Sequence, residues 1–98
     1  MTDDSKVVSF LDIGTYSIHI LVVRFFPNSM GTPIFQDKEI VRLGQHLYRN
    51  GFIDEESIEK TRIVISNFVR ISKELGAEEI IAYATSATRE ASNRKKLL

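Results

Sequence analysis

The chain predicts a small α/β domain, a mixed sheet built in the order β-β-β-α-β-α. Three observations carry that prediction. Apolar, β-branched runs at 7–13 and 17–26 are separated by only three residues. Ile58, Val64, Ile65, Phe68, Ile71 and Leu75 recur by threes and fours along one helical stripe. A short apolar run at 79–84 follows that helix directly, as a crossover strand does.

The elements follow in order. The first two strands have too short a connection for anything but an antiparallel hairpin. The second is apolar on both alternating faces, which suits a strand covered on two sides. Residues 27–33, with Pro27, Asn28, Gly31 and Pro33, form the clearest loop signal. A third strand is expected at about 34–43, its Lys38, Glu39 and Arg42 marking a more exposed course and completing a meander. The segment 44–53 is a polar crossing with Gly44 and Gly51. Asp54 is a good N-cap for the helix, with Glu55 and Glu56 where the helix dipole favours anions. Gly76 supplies its C-terminal stop. The strand at 79–84 should run parallel to an earlier one, and Thr85 and Ser86 can cap a final helix running towards Leu98. Four strands closing on a charged helix look unfinished. The expectation is one subdomain over 1–98, cut from a longer two-domain protein.

Composition narrows the function classes. Ninety-eight residues suffice for one domain and not two, and 43% hydrophobic content is that of a globular fold. Thirteen basic and thirteen acidic residues cancel, which argues against a partner bound by bulk electrostatics, such as nucleic acid. Cysteine is absent, so there is neither a disulfide framework nor a thiolate metal site. The start, Met1-Thr2-Asp3-Asp4-Ser5-Lys6, is unlike a signal peptide. No apolar run approaches membrane-spanning length. These features lead us to expect a cytoplasmic protein acting away from the membrane.

Two segments can carry chemistry. In Asp12-Ile13-Gly14-Thr15-Tyr16-Ser17, an acidic residue closes a buried strand. A glycine and two hydroxyl residues then form a tight turn, whose N–H groups can make an anion-binding concavity. Asp12 is a natural outer ligand for a magnesium ion held mostly by water and phosphate. The same six residues also make an ordinary hairpin turn. In Ala84-Thr85-Ser86-Ala87-Thr88-Arg89-Glu90, hydroxyl residues cap a helix and Arg89 can clamp a phosphate oxygen. A plain N-cap with a solvated Arg accounts for that run as well. With the fourth strand parallel to the first, both segments lie at carboxyl ends of strands, the edge where open α/β sheets bind ligands.

These residues, with Val41-Arg42-Leu43-Gly44 and Asp54-Glu55-Glu56-Ser57-Ile58, resemble the N-terminal portion of the exopolyphosphatase and guanosine pentaphosphate phosphatase (Ppx/GppA) family. That family has the actin-like, ribonuclease H-like ATPase fold. The resemblance spans nearly the whole chain in the right order, and the run from Ala84 to Ala91 is its most specific part. It implies a hydrolase that releases terminal phosphate from inorganic polyphosphate or guanosine pentaphosphate with Mg2+. By the same resemblance Asp12 helps place the metal. Gly14, Thr15, Tyr16 and Ser17, with Thr85 and Ser86, hold phosphate, and Arg89 balances charge on the transferred group. The family's general-base glutamate and its second, glycine-rich phosphate loop lie beyond the stretch matched, so residues 1–98 alone are expected to turn over little. Tyr16 stands where the family usually has Asn, and a phenol does not offer the same short amide contacts. Two alternatives stay open: a kinase or ATPase of the same fold, and a non-catalytic phosphate or nucleotide sensor.

The remaining polar residues have structural readings. His19 sits mid-strand between Ile18 and Ile20 with no second metal ligand at a useful spacing, and His46 belongs to the crossing loop. Arg94, Lys95 and Lys96 suit a solvated helix end. Tyr48 and Phe52 are placed to pack on a missing domain or a second subunit. A homodimer of the full-length protein is one expectation.

Overall fold

A computed structural model describes residues 4–14, 16–28, 30–41 and 55–84. Among them, β1 (Lys6–Ile13), β2 (Ser17–Phe25), β3 (Thr32–Ile40) and β4 (Glu79–Ala84) form one mixed sheet in the order β3-β2-β1-β4. The helix α1 (Glu55–Glu74) lies in the chain between β3 and β4. The meander and the parallel β4 are as the sequence predicts, with β4 beside β1. Asp54 and the expected helix beyond Thr85 lie outside the described residues.

Strand alternation sorts β1 and β2 into two faces. Val7, Ser9, Leu11 and Ile13 on β1 share one face with Ile18, Ile20 and Val22 on β2. The apolar members of this set form a single core cluster with Val41 and with Ile58, Val64 and Phe68 of α1. Ile65, Ile71 and Leu75 pack against its margin, so the helical stripe read from the sequence is the stripe that is covered. Each large apolar side chain buried this way contributes about 1.5–3 kcal/mol. A polar contact crosses the same layer. Ser72 Oγ donates to Phe68 C=O at 2.7 Å and lies 2.6 Å from Ser9 Oγ. The Ser72 proton is therefore engaged, and Ser9 is the donor to Ser72. Both serines are fully buried.

The end of α1 shows why Gly76 is needed. Its φ is +86°, a left-handed conformation that costs other residues about 1–2 kcal/mol. Gly76 N–H donates to Lys73 C=O and Ala77 N–H donates to Ser72 C=O, which closes the helix as a Schellman motif. One residue later Glu78 N–H donates to Val7 C=O at 2.9 Å, and this starts β4 along β1.

The third strand differs from the expectation at both ends. It begins at Thr32 and so includes Pro33, and it stops at Ile40. β3 is an edge strand, where a residue without an N–H is tolerated. Pro33 also pairs at the irregularity between Val22 and Val23, where the ladder is already broken. At the other end Val41 N–H donates to Tyr16 C=O at 2.8 Å, which carries the β2–β3 register one pair beyond Ser17 and Ile40.

Candidate active site

The carboxyl ends of β1 and β4 lie side by side, with Ile13 paired to Ala84. From that edge the chain turns through residues 14–17 into β2. Gly14 N–H donates to Ser17 C=O at 2.8 Å, which closes the hairpin. A Cβ on residue 14 would lie 2.7 Å from that same carbonyl oxygen. Glycine is therefore required by a close backbone approach. Its φ is not among the positive values of the described residues, so the unusual dihedrals the sequence suggested are not the reason. Gly14 N–H is also engaged within the hairpin.

Tyr16 anchors the turn by its backbone, since its carbonyl receives Val41 N–H, while its side chain is 52% exposed. Ser17 is half-buried, and its Oγ lies 3.0 Å from His19 Nε2. Asp12 is half-buried on the penultimate residue of β1. Of the residues expected to act together, the structure gathers Asp12, Gly14, Tyr16 and Ser17 around one hairpin end. Thr15, Thr85, Ser86 and Arg89 lie outside the described residues.

Sequence reasoning treated His19 as an isolated strand residue, and the structure gives it company. Asp12 pairs with His19 on one side and with Tyr83 on the other, and His19 pairs with Lys38. The four make a polar row across the sheet, on the face opposite the core cluster. With Phe10 and Leu21 they line a groove of about 640 Å³. The signal was available: an antiparallel hairpin closing on Ile13 and Ile18 must bring residue 12 opposite residue 19.

The donor set limits what metal this site can hold. Among the described residues no group of three or more His, Cys, Asp or Glu stands close enough to enclose an ion. Asp12 fits one carboxylate contact to an ion whose other ligands are water and phosphate, the usual manner of magnesium.

The sequence profile of the Ppx/GppA phosphatase family matches residues 21–98. The chain belongs to this family. Its relatives include the bifunctional 3-dehydroquinate synthase/phosphatase of Fusobacterium nucleatum, 36% identical over 90 residues. That match covers 86% of this chain and 14% of the relative. Exopolyphosphatase 1 of Mycobacterium tuberculosis is 33% identical over 88 residues, covering 90% of this chain and 26% of that one. Among solved structures, a Ppx/GppA family member from Aquifex aeolicus superposes with a TM-score of 0.89 at 28% identity. It covers 96% of this chain and 30% of its own. An exopolyphosphatase from Cytophaga hutchinsonii gives 0.86 at 29% identity, over 94% and 29% of the two chains. The chain thus spans less than a third of each of these proteins. The superpositions agree with the mixed α/β sheet of the actin-like, ribonuclease H-like Ppx/GppA fold. The family match and the superpositions bear out the resemblance to the Ppx/GppA family.

Among the described residues no helix is long and apolar enough to cross a membrane.

Proposed function

We propose that this chain is the N-terminal subdomain of a two-domain, cytoplasmic phosphoanhydride hydrolase. It releases terminal phosphate from inorganic polyphosphate or guanosine pentaphosphate. The observation that carries the reading is the hairpin end itself. Asp12 and the 14–17 turn stand beside the carboxyl end of β4, where Thr85 follows Ala84 in the chain. Membership of a phosphatase family and the similarity to a mycobacterial protein named as an exopolyphosphatase support it.

Within this reading the chain's own residues bind and orient the phosphate. The 14–17 turn receives the terminal phosphate at a backbone made rigid by two hydrogen bonds, Gly14 to Ser17 and Val41 to Tyr16. The Ser17 hydroxyl adds a donor. Thr85 and Ser86, which follow β4 in the chain, add hydroxyl donors, and Arg89 neutralises charge on the group being transferred. Asp12 would hold a magnesium ion, which would supply charge neutralisation to the phosphate. Catalysis of this type depends on positioning more than on covalent chemistry. The general base and a second phosphate loop come from outside residues 1–98.

The test is phosphate release by the full-length protein with magnesium, comparing polyphosphate, guanosine pentaphosphate and ATP. The reading expects release from one or both of the first two, and release from ATP alone would move the protein to the kinase or ATPase class. A non-catalytic sensor is the second reading, and exposed Tyr16 is the feature that favours it. Tyr16→Asn should raise activity in a degenerate enzyme and do little in a well-adapted one.

A further inference from the structure

We propose that His19 is a positioning residue: it fixes which way the Ser17 hydroxyl points and so whether that hydroxyl can donate to phosphate. This rests on the phosphate reading of the 14–17 turn and adds the residue that prepares it. A serine hydroxyl has one proton and cannot donate it twice. Ser17 Oγ is 3.0 Å from His19 Nε2, within hydrogen-bond range. Where Nε2 is bare, the Ser17 proton is drawn to the ring, and the hydroxyl turns only lone pairs towards an anion. Where Nε2 carries a hydrogen, the ring donates to Oγ and the Ser17 proton is released to point at a phosphate oxygen.

The surroundings hold the ring where it can do this. His19 lies on the regular part of β2, two residues beyond Ser17 on the same face. It stands between Asp12 on β1 and Lys38 on β3, with Tyr83 on β4 beyond Asp12. A phosphate at the turn meets His19 through Ser17 and selects the arrangement in which Nε2 donates. His19 therefore acts on the ligand at one remove, which separates this role from a direct contact.

A double-mutant cycle tests it on the full-length protein, with tripolyphosphate and magnesium as the probe and calorimetry as the readout. Ser17→Ala should weaken binding roughly tenfold, the loss of one hydrogen bond to a charged group. His19→Leu, which leaves the hydroxyl but not its orientation, should weaken it by a smaller factor of about threefold, and the double variant should be no weaker than Ser17→Ala alone. His19→Gln, which keeps an N–H donor, should recover most of the loss and covers the case in which leucine on this exposed row impairs folding. Multiplying effects in the double variant would mean direct contact and overturn the proposal. Wild-type affinity in His19→Leu alongside weakened Ser17→Ala would overturn it while leaving the turn's phosphate role intact. Wild-type affinity in Ser17→Ala would overturn the phosphate role of Ser17 and this proposal with it.

Discussion

Asp12 on β1 and His19 on β2 face each other across the antiparallel ladder, one pair before the hairpin turns. The relationship places an acidic side chain and an imidazole on the same sheet face, both beside the turn. It follows from the hairpin's closure alone, because Ile13 pairs with Ile18 and the register fixes every pair behind it. The core-facing residues of the same strands, Leu11 opposite Ile20 among them, hold that register through burial.

The turn should not tolerate a side chain at Gly14. In Gly14→Ala the new Cβ would meet Ser17 C=O at 2.7 Å, so the hairpin must open at its tip. We expect a destabilisation of about 1–3 kcal/mol in denaturant melts, together with weakened phosphate binding. A variant that melts and binds like the parent would show that the close approach is not needed.

The buried serine pair is a coupled unit. Ser72→Ala leaves the Ser9 hydroxyl without its acceptor, and we expect a loss of about 1–3 kcal/mol. Ser9→Ala removes only a donor from Ser72, which keeps Phe68 C=O as its acceptor, so its cost should be smaller. The double variant should cost less than the sum of the two. Chemical denaturation of all three variants checks the ordering.

Thr61 behaves oppositely. It is fully buried, and among the described residues its Oγ1 has no hydrogen-bond partner. Replacing the hydroxyl with a methyl removes an unsatisfied polar group while keeping the β-branched shape. Thr61→Val should be neutral or stabilising by up to about 1–3 kcal/mol, read as a raised denaturation midpoint. A clear loss of stability would mean that the hydroxyl has a partner.

Much of this architecture was legible before any coordinates. The stripe from Ile58 to Leu75 and the stop at Gly76 follow from helical periodicity and from the left-handed conformation glycine permits. What escaped depends on tertiary context. Pro33 marks a loop in isolation, and only the edge position and the break opposite Val22 and Val23 let it sit in a strand. Gly14 was legible as a required glycine, but for the wrong cause, since a backbone-to-carbonyl approach leaves no trace in residue types. His19 looks isolated along the chain, and its neighbours come from across the ladder. There it meets Asp12 and Lys38.

The central claim is that Asp12 and the adjoining turn form one wall of a phosphoanhydride-hydrolysing site. Asp12→Asn tests it most directly, because the substitution keeps the size of the side chain and removes its charge. The measurement is the rate of phosphate release from polyphosphate by the full-length protein across a magnesium titration, with melting temperature followed in parallel. The account predicts an unchanged melting temperature, a rate lowered by about a hundredfold or more, and a higher magnesium requirement. A folded Asp12→Asn variant that releases phosphate at the parent's rate and magnesium dependence would contradict it.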